Sequence, residues 1–143
     1  MILADTGAMI ALIDRKDRHH RAVLTVYDAH ADDWVLPWVI LPEVDYLLAA
    51  HVSPRAQDAF LADLSEGAYQ VRWGTDEDLD DALRITTHYR GLRVGLVDAV
   101  VMALAARHRA AAIVTLDVRH FGAVKIPGSP ELWPRDYAFT KSS

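Results

Sequence analysis

Residues 112–121 read AIVTLDVRHF. Ala112, Ile113, Val114 and Thr115 form an apolar, β-prone run that reaches Asp117 and stops there. The chain opens in the same way, for MILADTG at residues 1–7 is an apolar run ending at Asp5. A short apolar run without alternation marks a strand buried on both faces, as in a parallel sheet. Two such strands, each finished by a carboxylate, frame the reading of everything between them.

Further strands are expected at 34–36 and 70–73, with a weaker one in the tail at 137–139. Helical patterns separate them. Ser53-Pro54 offers an N-cap and a first-turn proline; Phe60, Leu61 and Leu64 follow as an apolar stripe, and Gly67 is a stop. Thr75 and Asp78 have capping-box spacing, and Leu79, Ala82, Leu83 and Thr86 carry a helix towards Gly91. Residues 98–108 repeat Val101, Leu104 and Ala105 at three and four. Shorter helices are expected over 7–13, 19–30 and 40–50. This alternation predicts an α/β fold, a three-layer α/β/α sandwich with a parallel sheet of four to five strands, in one domain spanning 1–143.

Composition narrows the function. An apolar fraction of 52% and a charged fraction of 24% fit a soluble globular protein. No apolar run approaches the roughly 20 residues of a membrane span. The opening residues carry acids and lack a basic region, unlike a secretory signal. The absence of cysteine excludes disulfides, thiolate zinc sites and a cysteine nucleophile, and fits the cytoplasm. A net charge of −5 argues against sequence-independent nucleic-acid binding, unless several acids gather in one site.

They are expected to gather. In a parallel α/β sheet each strand ends, and the next helix begins, at the same edge, where such folds bind ligands. Asp5 and Asp117 follow their strands directly. Glu43 falls in the first turns of the helix after residues 34–36, and Asp98 opens the helix before residues 112–115. Singly, each acid has an ordinary reading: Asp98 as a helix cap, Asp5 and Asp117 as turn residues, Glu43 as a solvated helix residue. Four on one edge, in apolar surroundings, need compensation by protons or a cation. Oxygen donors without cysteine suit Mg²⁺ or Mn²⁺, whose chemistry beside carboxylates is phosphodiester hydrolysis.

The segments DTGAMIALIDRKDRHH, PEV, LVDAVVMALA and TLDVRHF together resemble the PIN-domain ribonucleases, and among them the VapC-type toxins of bacterial toxin–antitoxin pairs. The resemblance covers nearly the whole chain. It implies a five-strand parallel sheet between helices, and Mg²⁺- or Mn²⁺-dependent endonucleolytic cleavage of RNA. It places Asp5, Glu43, Asp98 and Asp117 at the metal, with Thr6 and Thr115 as hydroxyls that orient an acid or a water. It further implies a homodimer and a small antitoxin whose arginine enters the acidic site. Some relatives carry a further acid after the last one, where this chain has Arg119 and His120.

Other residues have weaker assignments. Arg119, His120 and Arg15 could contact the RNA backbone, and Trp38 could stack on a base or pack in the core. The histidines are not expected as metal ligands. Asp76, Glu77, Asp78, Asp80 and Asp81 are expected as a solvated, dipole-favoured face. Asp45 is a candidate supporting group, while Asp14 and Asp17 read as caps. The alternatives are an RNA-processing PIN nuclease that is not a toxin, a receiver-like domain, and a non-catalytic cation-binding module. The lone acid after the first strand speaks against a receiver; the intact set of four speaks against a non-catalytic module.

Overall fold

The apolar run near the N-terminus lies at the centre of the sheet and is buried along its length. The computed structural model describes residues 1–139. Strands β1 (Ile2–Ala4), β2 (Trp34–Pro37), β3 (Gln70–Arg72), β4 (Ala112–Val114) and β5 (Glu131–Trp133) are ordered β3-β2-β1-β4-β5. Every neighbouring pair is parallel. Ile2 pairs with Trp34 on one side and with Ala112 on the other. With both edges bonded and both faces covered, β1 and β4 carry unbroken apolar residues rather than alternation.

Among the described residues, seven α-helices surround this sheet: α1 (Thr6–Ile13), α2 (His20–His30), α3 (Leu41–His51), α4 (Pro54–Ser65), α5 (Asp76–His88), α6 (Leu96–Arg107) and α7 (Val118–Ala123). Helix α1 packs on α2 and α3, α3 on α4, α5 on α6, and α7 on α6 and β5. The strands step outward from β1 to β3, then resume on the other side of β1 at β4. Right-handed crossovers place the helices of the two halves on opposite faces. The strand order therefore reverses between β1 and β4, which opens a crevice at their C-terminal ends. Residues 99–105 of α6 are buried without interruption, so this helix is apolar all round and fills the space beneath the crevice.

Local chemistry sets several boundaries. The Ser53 hydroxyl accepts a bond from Ala56 N at 3.0 Å, Pro54 opens α4, and Gly67 takes a φ of +79° just beyond its end. The Thr75–Asp78 capping box is formed at the start of α5.

Three expectations need correction. The last strand is Glu131–Trp133, not residues 137–139. The chain turns after β5, with Tyr137 N bonded to Pro134 O, and Tyr137 packs edge-on against Trp133 and Phe139 at 4.9 and 5.0 Å. The acids of α5 are not uniformly solvated. Asp78 is 0% exposed and accepts hydrogen bonds from the Arg107 guanidinium, from Trp38 Nε1 at 2.8 Å and from Thr75 N at 3.3 Å. Asp78 and Ala82 thus face inward, and Leu79 and Leu83 stay exposed, so the buried stripe is rotated from the one the leucines suggest.

Candidate active site

Asp5 leaves β1 with extended backbone, and its N–H still bonds Val114 O at 3.0 Å. Its side chain then caps α1, with Oδ1 accepting from Ala8 N at 2.9 Å. Its carboxyl is buried and pushed up to about 7. Burial is the main cause; the Thr115 side chain and Ala8 N–H oppose it, and the charges of Asp98 and Asp117 add to it. Asp117 ends the loop after β4 and caps α7, accepting from His120 N at 3.2 Å. The strand-end acids are therefore helix caps that also line the cavity, whereas Asp98 caps nothing. It lies in the first turn of α6, behind the N-cap Gly95, where the helix dipole favours an anion.

Asp5, Glu43, Asp98 and Asp117 line one cavity of about 760 Å³ at the crevice between β1 and β4. Glu43 reaches it from the first turn of α3 and is exposed. Leu47, Leu96, Val97 and Leu116 form its apolar walls. Burial, with the charges of Asp117 and Glu43, raises the Asp98 carboxyl, while His120 lowers it. Burial also presses Asp117 upward, but bonds and charge from His120, with the charge of Arg119, outweigh it and hold Asp117 below its usual value. Among the described residues, the ion pairs of Arg84, Arg107 and Arg135 all lie elsewhere. Among the described residues, no lysine or arginine forms an ion pair with the four acids, and His120 pairs with Asp117.

The hydroxyls sit beside them. Thr115 is buried and accepts from Asp117 N at 3.0 Å, which fixes the loop. Thr6 lines the cavity at 6% exposure, and its Oγ1 has no hydrogen-bond partner among the described residues. His120 is half-buried at the rim, with Nδ1 2.8 Å from Asp117 Oδ2. Arg119 is exposed beside it.

Thr115, Arg119 and His120 adjoin the lining without belonging to it, and the remaining candidates lie outside it as well. Trp38 directs its indole N–H to Asp78, and Asp45 accepts from Gln57 Nε2 at 3.0 Å. Arg15 is exposed beyond the far end of α1, which carries the chain about 12 Å from the edge. Asp14 and Asp17 accept from Lys16 N and His19 N, as local turn caps. Sequence reasoning did not foresee the Asp78–Trp38–Arg107 cluster. Its one signal is Gly74, where a Cβ would overlap the Trp38 indole and the Asp78 carboxylate.

The family model for the PIN domain matches residues 2–126 of this chain. The chain belongs to the PIN-domain family. This PIN domain is 36% identical over 124 residues to ribonuclease VapC26 of Mycobacterium tuberculosis, covering 87% of this chain and 92% of that protein. Its fold is similar to that of VapC20 of Mycobacterium tuberculosis, a Sarcin-Ricin loop cleaving toxin, with a TM-score of 0.78 at 20% identity over 86% of this chain and 95% of that one. It is also similar to DNA-bound VapBC from Salmonella typhimurium, with a TM-score of 0.69 at 20% identity over 92% of this chain and 95% of that one. The five-strand parallel sheet between helices is thus a PIN fold of the VapC kind. No helix among the described residues is long and apolar enough to cross a membrane.

Proposed function

We propose that this PIN domain is a divalent-metal-dependent endoribonuclease and the toxin of a type II toxin–antitoxin pair, acting on translation in the cytoplasm. The observation that carries the reading is the convergence of Asp5, Glu43, Asp98 and Asp117 on one cavity, where the described residues pair only Asp117, with the His120 ring.

The donor set fits a hard cation. It consists of carboxylate oxygens, one of them on a carboxyl that burial pushes up to about 7, beside a buried hydroxyl without a partner among the described residues. Asp5, Glu43, Asp98 and Asp117 would hold Mg²⁺ or Mn²⁺. The chemistry supplied by a bound ion is Lewis acidity towards water and phosphate oxygens.

The chain's own residues do the rest. Ala8 N–H and Thr115 fix the Asp5 carboxylate before any ligand arrives, so little reorganisation is left for the reaction. Thr6 Oγ1 is free to orient a water in the cavity. Leu47, Leu96, Val97 and Leu116 give the cavity apolar walls, and charge interactions beside apolar surface are stronger than in open water. Arg119, exposed beside Asp117, contacts the RNA phosphate backbone.

The naming of VapC26 as a ribonuclease and of VapC20 as a Sarcin-Ricin loop cleaving toxin supports the substrate class. The VapBC complex supports an antitoxin partner. An arginine from such a partner would satisfy carboxylates that otherwise need a cation. A homodimer follows from the family resemblance.

The test is cleavage of total RNA by purified protein with Mg²⁺ or Mn²⁺. Discrete cuts are expected, lost with chelator and in Asp98→Asn. Cleavage that persists in chelator would reject the reading.

A further inference from the structure

His120 stands at the mouth of the cavity, and the hydrolytic reading gives its ring no task. One ligand atom from each of Asp98, Asp117 and His120 lies within 4.8 Å of the others. We propose that His120 is a nitrogen ligand there, completing with Asp98 and Asp117 an ion position that prefers Mn²⁺ to Mg²⁺. The inference rests on the proposed reading of the cavity as a divalent-ion centre.

The spacing suits an ion. Octahedral bonds of roughly 2.1 Å place adjacent donors about 3 Å apart and opposite donors just over 4 Å apart. His120 Nδ1 and Asp117 Oδ2 are 2.8 Å apart, close to the edge of such an octahedron. The backbone holds the pair in place. His120 N–H bonds Asp117 Oδ1 at 3.2 Å, which turns Oδ2 towards the ring, and Thr115 Oγ1 fixes the Asp117 amide. Asp98 approaches from a different helix, so the three donors do not lie on one element.

Independently, the buried Thr6 Oγ1 lines the same cavity without a partner, as expected where a solvated ion completes the bonding.

The donor type then sets the preference. Mg²⁺ takes oxygen almost exclusively, while imidazole suits transition metals. Mixed oxygen and nitrogen donation therefore favours Mn²⁺.

The experiment is pulsed electron spin-echo spectroscopy of the Mn²⁺-loaded full chain, prepared with natural-abundance and with ¹⁵N-labelled histidine. Nitrogen modulation that changes with the label is expected in the wild type and is absent in His120→Gln. Calorimetry should show Mn²⁺ affinity weakened about tenfold in the variant, with Mg²⁺ affinity unchanged. Bound Mn²⁺ with no nitrogen signal in the wild type overturns the inference and leaves an oxygen-only centre intact, as does a signal that survives in His120→Gln. Failure of the wild type to bind either ion overturns both this inference and the proposed function. The isotope comparison needs no variant, so it stands even if His120→Gln folds poorly.

Discussion

Asp5 holds a carboxyl of about 7 inside the fold against 3.8 in its ordinary state. Between those values the folded chain keeps a proton that the unfolded chain has released, so stability falls as pH rises from about 4 to about 7. The decline is bounded at about 4 kcal/mol for Asp5. Asp98, also raised by burial and by Asp117, adds to it with the same sign. Asp117 is held low, so its contribution is lost only below the ordinary carboxylate range. His120 is raised by Asp117, and its contribution is lost above its ordinary 6.5. Denaturant titrations of metal-free protein should trace the decline, and saturating Mg²⁺ should abolish it; a flat metal-free profile would contradict it. Asp5→Asn keeps an oxygen for Ala8 N but removes the charge. At pH 8 without metal it should stabilise the fold by about 2 kcal/mol, while cleavage falls about a hundredfold or more. Lost activity together with lost stability would mean that Asp5 serves mainly as a cap.

Helix α5 shows how far a local pattern reaches. Its capping box was readable because Thr75 and Asp78 act across three residues, and Ser53 and Gly67 frame α4 for the same reason. The burial of Asp78 was not readable, since its partners Trp38 and Arg107 come from distant elements. Asp78→Ala leaves Arg107 and the Trp38 indole without it, and should cost about 3 kcal/mol by chemical denaturation. The exposed Asp80→Ala should change stability by less than about 0.5 kcal/mol. Equal small effects would return Asp78 to the solvated face. Strand β5 and helix α7 escaped the sequence for another reason. Three and six residues are too few to display a period, and ELW sits between Pro130 and Pro134 while Tyr137 and Phe139 offer a more apolar decoy.

Across the whole molecule, the sheet order does what no single acid reveals. Strands β1 and β4 are remote in sequence but adjacent in space, and the reversal between them brings Asp5 and Asp117 to one crevice. That convergence was legible because the end of a parallel strand fixes where the following residue goes. The apolar walls at Leu47, Leu96, Val97 and Leu116, and the turn of His120 towards Asp117, depend on packing and became visible only in the fold. The central claim is that the four carboxylates form one divalent-ion site, and thermal unfolding tests it most directly. At a hundredfold excess over Kd, Mg²⁺ or Mn²⁺ should add about 2.7 kcal/mol and raise the Tm of the wild type, with no rise in Asp98→Asn. A wild-type Tm that is the same with ions and with chelator, or a rise that survives in Asp98→Asn, would contradict it.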